Sequence, residues 1–221
     1  MHYLAHFYVD QQETDPLFIA GLGLPDWMDG FSKLYNQKLK NSTLSDSSDT
    51  FALHAGIRRH YEGDNLFHNH PIFVQLQSEL LQSFVSVGLS RAKWRLSLLA
   101  HVGVELMIDR QIVNAEPKLS EVYYQKLNDV DPEVLKKYFE YHNVNVEQQD
   151  FLAKFHFFKM RKYLTLFNDI NNIVTGLDKM YGQVLNKTFG KQEKEQIGLA
   201  LHNMDADIRY RWQELLNGIK L

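Results

Sequence analysis

Apolar residues in this chain recur every three or four positions, and almost nowhere do they alternate. Leu76, Leu80, Leu81 and Phe84 follow Pro71 at helical spacing. Trp94, Leu98, His101, Val102, Glu105 and Asp109 do the same in the next stretch, and Phe151, Phe155, Phe158, Tyr163, Leu166 and Phe167 suggest one heavily aromatic helix. A period of 3.6 buries one face of a helix, whereas a half-buried strand needs a period of two. The pattern therefore predicts an all-α, single-domain multi-helix bundle of about eight helices over residues 1–221.

Local chemistry marks the boundaries. Asp131-Pro132-Glu133 reads as an N-cap, a proline in the first turn and an acid near the helix start. Pro71 opens a helix in the same way and pushes His70 out of helical geometry. The polar run NSTLSDSSD, residues 41–49, reads as a loop ending in a helix cap. Gly63 weakens the expectation that its segment is one continuous helix.

Composition narrows the function classes. With 44% hydrophobic residues, 221 positions suffice for a real core. A net charge of −3 gives no electrostatic footprint for nucleic acid. With no cysteine, disulfides and thiolate metal ligands are excluded. The start, MHYLAHFYVD, does not read as a signal peptide, and no stretch is long and apolar enough for a bilayer. A cytoplasmic protein with no membrane partner is the expectation.

Two triplets carry the chemistry. HYEGDNLFH spaces His60, Asp64 and His68 by fours, and HVGVELMID spaces His101, Glu105 and Asp109 likewise. Positions i, i+4 and i+8 fan over only about 80° of a helix. Two such helices facing one another converge nitrogen and oxygen donors, as a divalent cation requires. One triplet alone is more often a solvated face. The second, however, lies among Val102, Val104, Leu106, Met107, Ile108, Ile112 and Val113, so its acids are expected to be buried and to need partners. His2 and His6 sit on an apolar N-terminal segment, and LPDWMDG adds Asp26 and Asp29. The later His142, His156 and His202 lack acids at ligand spacing and read as structural.

Taken together, MHYLAHFYV, GLGLPDWMDG and GIRRHYEGDNLFHNHP resemble the acyl carrier protein phosphodiesterase family. Gly56, Ile57, His60, Asp64, His70 and Pro71 match its Gly-Ile-x-x-His-Arg-x-Ile-Asp-x-Phe-Thr-Asp-x-His-Pro signature at the same spacing, and His6 and Asp26 match its two earlier pieces. Tyr61 and His68 depart from the signature. The family's later Asp-x3-Asp-His becomes Glu105-x3-Asp109-Arg110, with His101 one turn upstream. The resemblance implies an HD-phosphohydrolase-like helical fold. It also implies a divalent metal such as manganese, and release of 4'-phosphopantetheine from a holo carrier protein.

On this reading the chain is an enzyme. His6, Asp26, His60, Asp64, Glu105 and Asp109 are the candidate metal ligands, for Mn, Zn, Fe or Mg. Asp64, His68 and His101 are the candidate catalytic residues, with an imidazole protonating the leaving oxygen while activated water attacks phosphorus in line. Arg58, Arg59 and Arg110 are candidate substrate-binding residues; Arg91, Lys93 and Arg95 add to a basic surface for an acidic partner. The site is expected in residues 1–113, with 114–221 an aromatic-rich helical half. Two other readings stand beside it: a helical scaffold that kept the fold and lost the chemistry, and a hydrolase like the zinc-dependent phospholipase C and nuclease group, which shares H-x3-E-x3-D.

Overall fold

In the computed structural model, which describes residues 1–28, 50–143 and 148–220, the helical spacing becomes ten α-helices, and no strand occurs among the described residues. They are α1 Tyr3–Val9, α2 Pro16–Met28, α3 Phe51–Asn69, α4 Pro71–Ser86, α5 Leu96–Ala115, α6 Pro117–Asn128, α7 Pro132–Tyr141, α8 Gln148–Arg161, α9 Ile170–Leu185 and α10 Lys191–Asn217. The Ser-rich run 41–49 and Asp29 lie outside the described residues. No helix among those described is long and apolar enough to cross a membrane.

The proline signals act as read. Asp131 accepts from the Glu133 amide at 2.9 Å to start α7, and His70 is extended, with Pro71 opening α4. The aromatic stretch does not form one helix. α8 ends at Arg161, Lys162 takes a left-handed φ of 46°, and Tyr163–Leu166 is a 3-10 turn. That reversal keeps Phe158, Leu164 and Phe167 buried while leaving Leu166 in solvent. Periodicity cannot see such a break, because the aromatic spacing continues across it.

The order of packing explains how donors from distant segments meet. α5 is apolar almost all round and packs against α1, α4, α6, α9 and α10. α2 lies along α3, and two glycines set the closeness of that pair. A Cβ on Gly21 would stand 2.3 Å from the Leu53 carbonyl oxygen, and one on Gly56 2.1 Å from that of Phe18. Only glycine permits backbones to touch in this way. The crossing carries Asp26, near the end of α2, up to His60 on α3.

α1 is short and wholly buried, and its N-cap residue His2 makes no capping bond. A helix so brief is not stable alone. Its free amides are taken instead by Asp109 of α5, which accepts from Ala5 N at 2.8 Å and Leu4 N at 3.3 Å. The negative carboxylate at a helix N-terminus is favourable. Gly63 lies inside an unbroken α3, where a Cβ would come within 2.8 Å of the Met1 side chain. The glycine is there for close approach, not as a break.

Candidate metal centre

Four elements meet at one polar centre. α1 supplies His6, the end of α2 supplies Asp26, α3 supplies His60, Asp64 and His68, and α5 supplies His101 and Glu105. Ligand atoms of His6, Asp26 and His60 lie within 4.8 Å of one another, and so do those of His68, His101 and Glu105. Asp64 stands between the two groups. Its Oδ1 is 3.2 Å from His6 Nε2 and its Oδ2 is 3.4 Å from His60 Nε2.

His6 and His60 form the floor, stacked with ring centroids 4.1 Å apart and essentially without exposure. Asp26 and Asp64 are each 27% exposed and His101 33%, so the centre opens to solvent on their side. His60 Nδ1 lies 2.8 Å from the Leu22 carbonyl, which can only accept; that nitrogen therefore carries the proton. In the neutral ring this leaves Nε2 with a lone pair, aimed between Asp64 and, at 3.9 Å, Asp26. Backbone fixing of the far ring nitrogen is how proteins orient imidazole toward a metal. His6 Nε2 is close to Asp64 yet not aligned for a hydrogen bond, and Asp26 Oδ2 is likewise buried without a partner.

The electrostatics follow from burial opposed by charge. Burial, reinforced by His60, pushes His6 down to about 3, so its ring is neutral and free to donate a lone pair. Burial lifts Asp26 to about 6 against the pull of His60. Burial acts against ionisation of Asp64 and Glu105 too, but a neighbouring ammonium and the imidazoles prevail. Asp64 falls well below the carboxylate range, and Glu105 to about 2. Burial lowers His60, but Asp26 and Asp64 outweigh it and the net direction is up.

That ammonium is the Met1 α-amino group. It sits 2.5 Å from Asp64 Oδ1, 3.3 Å from Glu105 Oε1 and 3.4 Å from His68 Nε2. Burial alone would lower its pKa, but Glu105, Asp64 and Asp26 raise it to about 10. No reading of side-chain spacing reveals a backbone amine.

The other candidate residues are placed elsewhere. Asp109 does not join the centre: besides capping α1 it is 2.5 Å from His2 Nδ1 and fully buried, so its role is to hold α1. Arg59 is buried against Asp10 at 3.0 Å and the Ile219 carbonyl at 3.1 Å. Arg110 is paired with Asp205 at 2.9 Å. Both guanidiniums are committed to holding the fold, which leaves Arg58 exposed as the available one of the three. Arg91 and Arg95 are exposed, while Lys93 pairs with Glu193. His70 caps α4, accepting from Ile72 N at 3.3 Å. His156 and His202 lie in solvent.

The donor set of imidazole nitrogens and carboxylate oxygens, with buried atoms lacking partners, fits a divalent transition ion. Calcium, which takes six to eight oxygens, fits poorly. No family model, no curated protein and no solved structure matches the chain.

Proposed function

We propose that the chain is a divalent-metal-dependent phosphodiester hydrolase, with the cation held by His6, Asp26, His60 and Asp64. One observation carries this: His60 Nε2, its ring fixed by the Leu22 carbonyl, faces two carboxylates. A nitrogen so placed gathers positive charge, and where a proton can sit to make the imidazolium a divalent cation can take its place. When bound, such an ion lowers the pKa of water and draws charge from phosphoryl oxygens.

The chain's own residues would do the rest. His6 and His60, sealed beneath, exclude water from the floor. Asp26 and Asp64, part-exposed, face the side from which a phosphodiester enters. His68 and His101 are both drawn onto Glu105 rather than held free as proton donors. An HD-like arrangement and a holo carrier protein as substrate rest on the resemblance. Arg58 is the exposed guanidinium in the matched signature that could meet an acidic partner.

A second reading has its own support. The Met1 ammonium already neutralises Asp64 and Glu105, so a non-catalytic scaffold needs no metal. Metal analysis of protein loaded with Mn²⁺ and desalted separates the two. The hydrolase reading expects bound metal and turnover of bis-p-nitrophenyl phosphate. Carrier-protein specificity expects loss of the phosphopantetheine mass from a holo carrier. Neither binding nor turnover with Mn²⁺, Zn²⁺, Fe²⁺ or Mg²⁺ would leave the scaffold.

A further inference from the structure

We infer that His68, His101 and Glu105 form a second divalent-cation subsite that shares Asp64 with the first, making the centre dinuclear. This rests on the reading of the centre as a cation site, and goes beyond it in residues and in number of ions. Both histidines stand where the chain departs from the signature it resembles. His68 takes the place of an aspartate, and His101 is one turn upstream of the matched acids.

Three observations point the same way. First, two imidazoles are aimed at one oxygen: His68 Nε2 is 2.8 Å from Glu105 Oε1, and His101 Nε2 is 3.4 Å from the same atom. Two imidazole nitrogens converging on one carboxylate oxygen bring three donor atoms together, as a cation's coordination shell requires. Second, the rings are held. Phe73, fully buried on α4, meets His68 edge-on at 5.1 Å and His101 at 5.2 Å, and the two imidazoles are themselves 4.6 Å apart. Packing that fixes ring orientation is costly to provide for solvated surface histidines, yet it suits ligands. Third, the space between the two groups holds positive charge: the Met1 nitrogen contacts Asp64 Oδ1, Glu105 Oε1 and His68 Nε2, and a bound ion would have to displace it from these donors.

Asp64 is the hinge of the arrangement. Oδ2 faces His60 of the first group, while Oδ1 faces the ammonium that touches the second. A carboxylate with one oxygen toward each group is a natural bridge. Two ions sharing it would hold the attacking and leaving oxygens of a phosphoryl group together, the chemistry that two-metal sites supply. The donors, two imidazoles with carboxylate oxygen, select a transition ion such as Mn²⁺, Fe²⁺ or Zn²⁺ over Mg²⁺.

The test uses the full chain, stripped with chelator, reloaded with Mn²⁺ and desalted. Metal analysis should give about two ions per chain, and low-temperature electron paramagnetic resonance should show an exchange-coupled Mn pair. His101→Ala should halve the content and turn the coupled signal into that of an isolated ion. Asp26→Asn should weaken the other subsite and leave one ion at His68, His101 and Glu105. His101 is a third exposed, so its loss should leave the fold intact. Circular dichroism checks this, and His101→Gln serves if alanine disturbs it. One ion in the parent chain, unchanged by His101→Ala, overturns the second subsite and spares the first. No ion in the parent chain overturns both.

Discussion

Helix α3 carries two buried histidines less than two turns apart, and their surroundings are opposite. His54 and His60 are nearly equally hidden, at 4% and 2% exposure. His54 meets the Tyr138 hydroxyl at 2.9 Å and stacks over His142 at 5.9 Å between centroids. His60 meets two carboxylates and a second imidazole. Imidazole against phenol and imidazole is a polar core contact, with donors and acceptors that can match. Imidazole against crowded carboxylates makes a place that draws in positive charge, as the Met1 ammonium and the raised pKa of His60 show. Burial alone does not separate a core histidine from a candidate ligand; the acids around it do.

If that distinction holds, the largest effect should come from the acid that supports the centre without belonging to it. Asp109→Ala removes the cap of α1 and the partner of His2, and should cost about 3–5 kcal/mol of stability. Urea denaturation with fixed slope measures it. Asp109→Asn keeps an oxygen for the Ala5 amide and should cost less. Were Asp109 a ligand instead, both variants would lose metal while the denaturation midpoint stayed put.

A smaller energetic effect, but a sharper functional one, is expected of Asp64→Asn. The amide can still accept from the ammonium, but the charge that the ammonium and imidazoles hold ionised is lost, so the melting temperature should fall by less than for Asp109→Ala and the deciding readout is affinity. Mn²⁺ affinity by calorimetry should fall at least about 100-fold, since the bridging charge is lost. A large drop in stability with unchanged affinity would make Asp64 a structural partner of Met1 and leave the two histidine environments of α3 alike.

Much of this was legible in the residues, and the gaps have physical causes. The fold class, the proline-marked starts of α4 and α7 and the convergence of His60, Asp64 and Glu105 all follow from period and spacing. Glu105 and Asp109 look equivalent in sequence, being one turn apart on one buried face. What separates them is the position of α1, which docks over Asp109 and leaves Glu105 to the histidines. Spacing along a helix says which side chains share a face and nothing of what packs on that face. The same gap hides Arg59 and Arg110, whose partners Asp10 and Asp205 are far away in sequence. Gly21 and Gly56, by contrast, are visible as letters, but their meaning as the α2–α3 contact appears only once the helices are placed.

The smallest effect belongs to the surroundings of His54, and it is one of pH. Burial, and then the nearness of His54, lowers the pKa of His142 below the ordinary 6.5. The folded chain thus resists a proton that the unfolded chain accepts. Stability from this source is fully present above about pH 6.5 and is lost as pH falls through the lowered value. Because His142 is only partly buried, the contribution should stay below about 1 kcal/mol. His142→Gln has no proton to refuse, so its loss of stability between pH 8 and pH 5 should be smaller than that of the parent chain by that amount. Chemical denaturation at the two pH values measures the difference, and metal content should be the same in both proteins. A variant whose metal content changes would show that the His54 surroundings and the carboxylate-bound imidazoles are coupled through α3, and the two could no longer be read as separate solutions to burying histidine.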